Sequence, residues 1–303
     1  MAERRRLRRS AVELNELPSW NCRGLGSPPA VRTLTDEVKM KKPILVFLSE
    51  TKASLSKMKG FQNKLEYTEG IIVPSDGQSG GLAMIWKKGT TISLKSCSNS
   101  HIDVVVEGEA NQDLWRATRF YGQPDSGKRK ISWSLLEMLN KQCNMPWVVC
   151  GDFNKITHAN EKLGWLDRDA AQMWEFRESL RRCGLIDLDF VGQRYTWCNG
   201  RLGEQRTLIR LDRGVANKEW RSMFPEARVH HVAMSASDHC MIVLYLRRKI
   251  PTRPAKRRFM FEAMWTRDER CKQIVENAWD PLRDDTNFRI HERLKSCQDH
   301  LQS

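Results

Sequence analysis

The chain has 303 residues, of which 40% are hydrophobic, and a formal net charge of +14. Its apolar runs are too short for a membrane span, which needs about 20 residues, and its arginine-rich start lacks the apolar stretch of a signal peptide. The excess of Lys and Arg predicts a polyanionic partner, with nucleic acid as the first choice, although a merely soluble basic protein would carry the same charge.

The first half of the chain predicts short strands with few helices between them. A strand end at 19–22 is followed by a Gly/Pro-rich loop and a helix over 33–40. The continuous apolar run 44–48 is typical of a fully buried strand, and a short helix and loop follow it. Further strands are predicted at 82–86 and, with the alternation of half-exposed antiparallel strands, at 91–96, 102–106 and 115–121.

Two amphipathic helices are predicted in the second half. The first covers 132–142, and the second covers 170–183. We expect the buried face of the first to carry Ile131, Leu135, Met138 and Leu139. We expect the buried face of the second to carry Met173, Phe176 and Leu180.

The remaining strands complete a pattern of two sheets. A strand over 147–150 stops at Gly151-Asp152, a hairpin with an extended turn covers 195–211, and the last strands are 228–233 and 241–246. Strands in runs with a few helices between them suit two sheets packed face to face with helices outside. The nine cysteines show no zinc-binding spacing, which favours reduced, buried thiols in a cytosolic or nuclear protein.

Eight polar residues share one property, because each lies at or just beyond the end of a predicted strand. They are Asn21, Glu50, Tyr121, Asp152, Asn154, Asp212, Asp238 and His239. Strand ends can converge although long stretches of chain separate them, so we expect these side chains to form one site.

These residue types meet the chemical requirements of phosphodiester hydrolysis. A hard cation neutralises the phosphate and prefers oxygen ligands. Glu50 and Asp238 are candidate Mg²⁺ ligands, with Asn21 supplying an amide oxygen. Asp152 is a candidate for orienting and deprotonating the attacking water, while Asn154 would hold the water or the phosphate.

Two further groups would handle protons or charge. His239 paired with Asp212 suits this role, and Tyr121 offers a phenol to a phosphate oxygen. Taken alone, an Asp-Phe-Asn segment is more often a turn, and an Asp-His pair is more often a surface or capping pair. The prediction therefore depends on all of these residues occurring together and in order.

Six motifs in order resemble those of the endonuclease/exonuclease/phosphatase superfamily. They are WNCRGLG at 20–26, LSETK at 48–52, FYG at 120–122, GDFN at 151–154, RLDR at 210–213 and SDH at 237–239. Within the superfamily, the chain is most similar to the endonuclease domain of LINE-type non-LTR retrotransposons of the plant kind. The resemblance covers about residues 17–247.

The resemblance implies a four-layered α/β sandwich of two mixed sheets flanked by helices, like DNase I. It implies a divalent metal, Mg²⁺ or alternatively Mn²⁺, and nicking of one strand of duplex DNA to leave a 3′-hydroxyl that primes reverse transcription. The implied roles place Asn21, Glu50 and Asp238 at the metal and phosphate, and Asp152 and Asn154 at the nucleophile. Asp212 would orient His239, and Tyr121 would contact the scissile phosphate. The substrate implies a nuclear location, with a cytoplasmic one as the alternative.

The hairpin at 195–208 corresponds to the place where these endonucleases insert a variable loop into the DNA groove. Trp197, Arg201 and Arg206 are therefore candidate DNA contacts. The competing interpretation makes Trp197 an ordinary core residue of the hairpin.

The resemblance also predicts the domain organisation. We expect a basic leader over 1–16, the nuclease domain over 17–247, and a basic linker with a helical segment over 248–303. Residues 259–265 resemble the start of the linker to a reverse transcriptase, and none follows before Ser303. This predicts a truncated or domesticated fragment.

Three alternative functions remain open. The chain could be a non-cleaving DNA-binding remnant, or an apurinic endonuclease or 3′ exonuclease of DNA repair. A phosphatase acting on lipids or inositol phosphates is disfavoured by the retrotransposon-like flanking motifs. All eight site residues are intact, which favours an active nuclease.

Overall fold

The computed structural model describes residues 15–77, 79–107, 114–164, 169–246, 269–279, 297 and 300. The chain divides into two compact units, Met1–Arg248 and Lys249–Ser303. Most of the predicted leader and the predicted linker, including residues 259–265, lie outside the described residues. No helix among the described residues is long and apolar enough to cross a membrane.

The first unit contains strands and helices in mixed order. Its strands are β1 (Glu16–Asn21), β2 (Leu45–Ser49), β3 (Glu69–Val73), β4 (Leu82–Trp86), β5 (Ile92–Ser98), β6 (His101–Glu107), β7 (Leu114–Tyr121), β8 (Trp147–Asp152), β9 (Lys162–Leu163), β10 (Ile186–Asp187), β11 (Phe190–Gly192), β12 (Trp197–Cys198), β13 (Leu208–Ile209), β14 (Asp212–Ala216), β15 (Arg228–Val232) and β16 (Met241–Tyr245). Its helices are α1 (Pro28–Lys41), α2 (Leu55–Lys64), α3 (Arg129–Gln142), α4 (Ala170–Arg182) and α5 (Lys218–Met223). In the second unit, α6 covers Glu269–Trp279.

Two large mixed sheets form the centre of the first unit, as predicted. The first has the order β11-β15-β16-β1-β2-β4-β3, and the second has the order β10-β14-β8-β7-β6-β5. Parallel pairs in both sheets, such as β1 with β2 and β7 with β8, make them mixed. A small third sheet, β12-β13-β9, contains the predicted hairpin.

The apolar side chains define four layers. Phe47 of β2 lies in the core between the two sheets, whereas its neighbours Val46 and Leu48 pack with residues of α1 and α2. Because successive strand residues point to opposite faces, this explains why the run 44–48 is apolar at every position. On the other side, α3 and α4 pack against β7, β8 and β14. The predicted four-layered α/β sandwich is confirmed.

The predicted buried face of α3 is confirmed for Leu139 and for the partly buried Leu135, but it is wrong for Ile131 and Met138. Ile131 is 57% exposed and Met138 is 46% exposed, while Trp133 and Leu136 are buried. The ring of Trp133 stacks on Phe176 of α4 at 4.4 Å between centroids. This large aromatic contact fixes the helix orientation and turns two of the predicted core residues towards solvent. The predicted face of α4 is confirmed.

The central strands β6 and β7 are buried on both faces, although their alternation predicted half exposure. Their polar side chains satisfy one another, since Arg116 Nε donates to Asp103 Oδ1 at 2.9 Å and Thr118 Oγ1 donates to the same atom at 2.6 Å. A polar alternation therefore marks a buried ion pair here and not a solvent-facing side.

Smaller differences concern strand limits and thiols. The edge strand β3 was not predicted, and β8 continues through Gly151 and Asp152 because both residues pair with β14. All nine cysteines are free thiols, but Cys97 on the edge strand β5 is exposed and not buried.

Candidate active site

The predicted site residues converge at one edge of the two sheets. Asn21 ends β1, Tyr121 ends β7 and Asp152 ends β8. The register pairs Asp152 with Tyr121 on one side and with Asp212 on the other. Because β14 runs antiparallel to β8, the first residue of β14 meets the last residue of β8, which explains why Asp212 belongs to the site.

Two glycines allow the strand ends to approach closely. Gly151 has φ +147°, and a Cβ atom there would lie 2.0 Å from the Phe120 carbonyl oxygen. A Cβ atom at Gly122 would lie 2.4 Å from the Phe153 carbonyl oxygen. Any larger residue would push the GDFN and FYG segments apart and would separate Asp152 from Tyr121.

Unusual backbone conformations also cluster at this edge. Among the described residues, seven non-glycine residues have positive φ, and Arg23, Glu50, Lys52 and Asn154 are four of them. Such left-handed conformations are unfavourable for residues with a Cβ atom and persist where the surroundings enforce them, which is common at functional sites.

Glu50 is held by neutral donors and by cations. Tyr121 Oη donates to Glu50 Oε1 at 2.7 Å, and Asn21 Nδ2 donates to the same oxygen at 3.1 Å. Burial alone would raise the pKa of Glu50, but these hydrogen bonds and the charges of Arg23 and Lys52 hold it below its ordinary value. Glu50 is therefore a carboxylate at neutral pH, as a metal ligand must be.

Asp152, Asp212 and His239 form a buried triad. His239 Nδ1 donates to Asp212 Oδ2 at 2.9 Å, and His239 Nε2 lies 3.8 Å from Asp152 Oδ2. Burial and the adjacent charge of Asp212 raise the pKa of Asp152 to about 7. Burial lowers the pKa of His239, but the two carboxylates outweigh it and raise that pKa to about 9. The triad can thus exchange protons near neutral pH.

Asp238 lies beside the triad and is fixed from two sides. Trp197 Nε1 donates to Asp238 Oδ2 at 3.0 Å, and Arg23 Nε lies 3.3 Å from Asp238 Oδ1. The hydroxyl of Ser237 connects this loop to β1 by donating to the Asn21 carbonyl oxygen at 2.9 Å. Asn154 completes the site, since its Nδ2 donates to the Gly122 carbonyl oxygen and its backbone N–H donates to Asp152 Oδ1.

The donor atoms suit a hard divalent cation. Glu50 and Asp152 both accept hydrogen bonds from Asn21 Nδ2, at 3.1 and 3.0 Å, so the two carboxylates converge on this amide group. The amide oxygen of Asn21, which was predicted to face the metal, accepts from the backbone N–H of Arg23. Ligand atoms of Asp152, Asp212 and His239 also lie within 4.8 Å of one another. Oxygen-rich donor sets of this kind fit Mg²⁺ or Mn²⁺ better than softer metals.

The three candidate DNA contacts have different environments. Trp197 is half-buried and packs against Ile209 and Leu211 near Asp238, so it forms part of the site wall. Arg201 and Arg206 are exposed on the turn of the hairpin. Asn199 braces this turn, because its Oδ1 accepts from the backbone N–H groups of Arg201 and Thr207.

Three cationic residues of the site were not predicted. Arg23, Lys52 and Arg129 line a cleft of about 450 Å³ together with Glu50, Tyr121, Asn154 and His239. The sequence carries a signal for two of them, since Arg23 follows Asn21 by two residues and Lys52 follows Glu50 by two residues. Asn154 has the same spacing from Asp152, so each strand end supplies a pair of polar residues.

Comparisons with known proteins agree with this geometry. The model of the Endonuclease/Exonuclease/phosphatase family matches residues 19–239. The search of curated proteins found no match. Three solved structures are similar over most of both chains, at identities that show the fold alone.

The first is the endonuclease domain of TRAS1, a telomere-specific non-LTR retrotransposon (16% identity, 78% of this chain and 99% of that chain, TM-score 0.59). The second is the AP endonuclease LMAP from Leishmania major (14% identity, 77% and 88%, TM-score 0.60). The third is the 3′ phosphatase NExo from Neisseria (15% identity, 77% and 100%, TM-score 0.58).

Proposed function

The chain belongs to the endonuclease/exonuclease/phosphatase family, and from this premise we propose that it is a Mg²⁺-dependent endonuclease that nicks duplex DNA and leaves a 3′-hydroxyl. The observation that carries the proposal is the buried triad of Asp152, Asp212 and His239 at the end of a cleft lined by cations. The cations match a polyanionic substrate, and the triad can move protons near neutral pH.

The reaction follows from the positions of the side chains. A divalent cation held by Glu50, with Asn21 and Asp238, would neutralise charge on the phosphate. Asp152 orients the attacking water and accepts its proton, while Asn154 holds the water or the phosphate. The water oxygen bonds to phosphorus, the bond to the 3′ oxygen breaks, and that oxygen takes a proton from solvent.

His239 and Tyr121 stabilise the charge that develops. With its pKa raised by Asp212 and Asp152, His239 is a cation at neutral pH, and it lines the cleft that would hold the phosphate. Burial and Glu50 raise the pKa of Tyr121 far above neutrality, so its phenol stays protonated. Its one O–H is donated to Glu50 in the structure and would turn from Glu50 to donate to a phosphate oxygen. Both groups act best where water is excluded; His239 is buried and Tyr121 is half-buried.

The proposed biological role is that of a LINE-type retrotransposon endonuclease of the plant kind, acting in the nucleus with a reverse transcriptase as its partner. The order of the six motifs and the similarity to the TRAS1 endonuclease domain support this role. A repair nuclease is the second candidate, supported by the similarity to AP endonucleases from Leishmania major and Archaeoglobus fulgidus.

The test is a nicking assay on supercoiled plasmid with Mg²⁺, with and without EDTA. We expect relaxation that EDTA abolishes, and product ends that a DNA polymerase extends. His239→Ala should remove the activity while leaving the protein folded. Cleavage confined to abasic-site oligonucleotides would favour repair, and DNA binding without any nicking would favour a non-cleaving remnant.

The hairpin turn provides a separate test of DNA contact. Arg201 is exposed on a turn whose base is joined to the site through Trp197 and Asp238. We expect Arg201→Ala to change which sites are nicked more than the overall rate, because a groove contact selects positions and touches no reacting atom. An unchanged map of cleavage sites, measured by primer extension, would contradict this contact.

A further inference from the structure

Arg23 connects two carboxylates of the candidate active site. Its Nη1 lies 3.3 and 3.2 Å from the two carboxylate oxygens of Glu50, and its Nε lies 3.3 Å from Asp238 Oδ1. The backbone N–H of Arg23 donates to Asn21 Oδ1 at 3.2 Å. The guanidinium is thus held in one orientation by carboxylates from two separate segments of the chain.

Neither carboxylate depends on Arg23 for a hydrogen-bond partner. Glu50 accepts from Tyr121 and Asn21 and has Lys52 Nζ at 3.7 Å, while Asp238 accepts from Trp197. If Arg23 only satisfied these acids, it would duplicate contacts that they already make. The two acids therefore also orient the guanidinium, beside their proposed role at the metal.

One edge of the guanidinium is available to a ligand. The Arg23 side chain is 48% exposed and lines the cleft, and its Nη2 has no protein partner within the described part of the chain. Arg213 provides the contrast, because it is fully buried and both of its Nη atoms are bonded to protein oxygens. Arg23 therefore combines a fixed position with a free donor.

We propose that Arg23 is a phosphate-binding catalytic residue, which donates from Nη2 to an oxygen of the phosphate in the cleft. This deepens the proposed function and rests on it. A planar guanidinium held by two carboxylates loses little freedom when it binds an anion. Lys52, Arg129 and His239 in the same cleft offset the negative charge of Glu50 and Asp238.

The first experiment measures DNA binding and not cleavage. The affinity of the full chain for a short duplex of random sequence is measured against salt concentration. Each phosphate contact contributes about 0.9 to the slope of log K against log salt. We expect Arg23→Ala to lower the slope by about that amount, whereas Arg32→Ala, which removes an exposed cation from α1, should leave it unchanged.

A double variant distinguishes the loss of a phosphate contact from the effect of leaving the Glu50 charge unbalanced. Removing Arg23 also leaves the charge of Glu50 less balanced, which would repel DNA without any lost contact. Arg23→Ala combined with Glu50→Gln removes both charges, and the lower slope should persist. If the double variant regains the wild-type slope, or if Arg23→Ala alone leaves the slope unchanged, the proposal is overturned.

The second experiment measures the nicking rate. We expect Arg23→Ala to lower it by about 100-fold, the usual loss for one donor to a developing oxyanion. Arg23→Lys should restore the salt slope and only part of the rate, because an ammonium keeps the charge but not the planar fork. A wild-type chain that binds DNA and never nicks it overturns the nuclease function but leaves the slope measurement interpretable.

Discussion

Two buried charge clusters lie on opposite faces of the second sheet, and consecutive residues of β14 belong to them. Asp212 points to the active site, while Arg213 points to the side covered by α4, where it lies 5.4 Å from the ring centroid of Phe176. Adjacent strand residues alternate between faces, so two neighbouring side chains enter very different environments.

The cluster on the helix side is balanced in charge. Arg213 contacts Glu161 and Asp187 at 2.9 Å each, and Arg210 contacts the same two acids at 2.9 and 2.8 Å. Burial would raise the pKa of Glu161, but the two arginines and the hydrogen bond from Thr157 lower it to about 2. Each acid is paired with two cations, and we refer to these four residues as the paired cluster.

The cluster at the site is unbalanced. Asp152 and Asp212 are neighbours across two strands with His239 between them, and the pKa of Asp152 rises to about 7. The pKa values of two carboxylic acids, Asp152 and Glu161, therefore shift in opposite directions on the two faces of one sheet. Compensated charges hold elements together, whereas uncompensated charges leave a group ready to exchange protons.

Asp152→Asn should produce the largest effect on the nicking rate. It should also show that the two clusters have different roles. We expect the nicking rate to fall by about 10³-fold, because the proposed proton acceptor is lost. The free energy of unfolding should change by less than about 1 kcal/mol, since one weakened hydrogen bond is offset by removal of a charge beside Asp212. Urea unfolding and plasmid nicking measure the two quantities.

Glu161→Gln is the matched control, because it makes the same chemical change in the paired cluster. It should lower the unfolding midpoint and leave the metal dependence of nicking unaltered. Equal losses of stability in the two variants would show that the clusters do not differ in their roles.

The sequence predicted the residues at strand ends but not all of their contacts. Asn21, Glu50, Asp152 and Asp212 were identifiable because each follows or begins an apolar run, and strand order brings such positions to one edge. Arg23 lies within the WNCRGLG motif, yet its contacts with Glu50 and Asp238 join segments that are far apart in sequence. Only the packed fold specifies such contacts.

Two other differences have a physical cause in side-chain packing. The apolar pattern of α3 included Ile131 and Met138, but the stack of Trp133 on Phe176 determines the buried face. The sequence left open whether Trp197 contacts DNA or belongs to the core of the hairpin. In the structure it packs in the wall of the site, and its indole N–H donates to Asp238. The apolar pattern of a helix does not show whether one aromatic contact or several aliphatic contacts will determine its buried face.

Arg213→Ala should give the next largest effect, and it concerns stability. Removing one cation leaves Glu161 and Asp187 partly uncompensated in a buried setting, which costs about 3 to 5 kcal/mol in comparable cases. We expect a lower urea midpoint with the metal dependence of nicking retained in the folded fraction. Arg181→Ala, which breaks an exposed pair with Glu178, should move the midpoint far less.

The smallest expected effect is on the acid side of the stability curve. The pKa of Glu161 is about 2 in the folded protein and has an ordinary value of 4.5, so the carboxylate favours the folded state above pH 4.5. This contribution is lost as the pH falls from 4.5 towards 2, because the unfolded chain then binds the proton more readily. A tenfold difference in proton affinity corresponds to about 1.4 kcal/mol, so we expect the urea midpoint to fall as the pH is lowered through this window.

Glu161→Gln should reduce the fall of the unfolding midpoint between pH 4.5 and 2, which we call the acid limb. Glu178→Gln should leave this acid limb unchanged. The pKa of Glu178 is also lowered to about 2, by Arg181 and Arg182, but its ion pairs with these two exposed arginines lie at the surface, where salt screens them. Chemical denaturation at several pH values and two salt concentrations distinguishes the two acids. An acid limb that depends on Glu178 as much as on Glu161 would mean that burial does not protect the paired cluster, and the contrast between the two faces of the sheet would then rest on the active site alone.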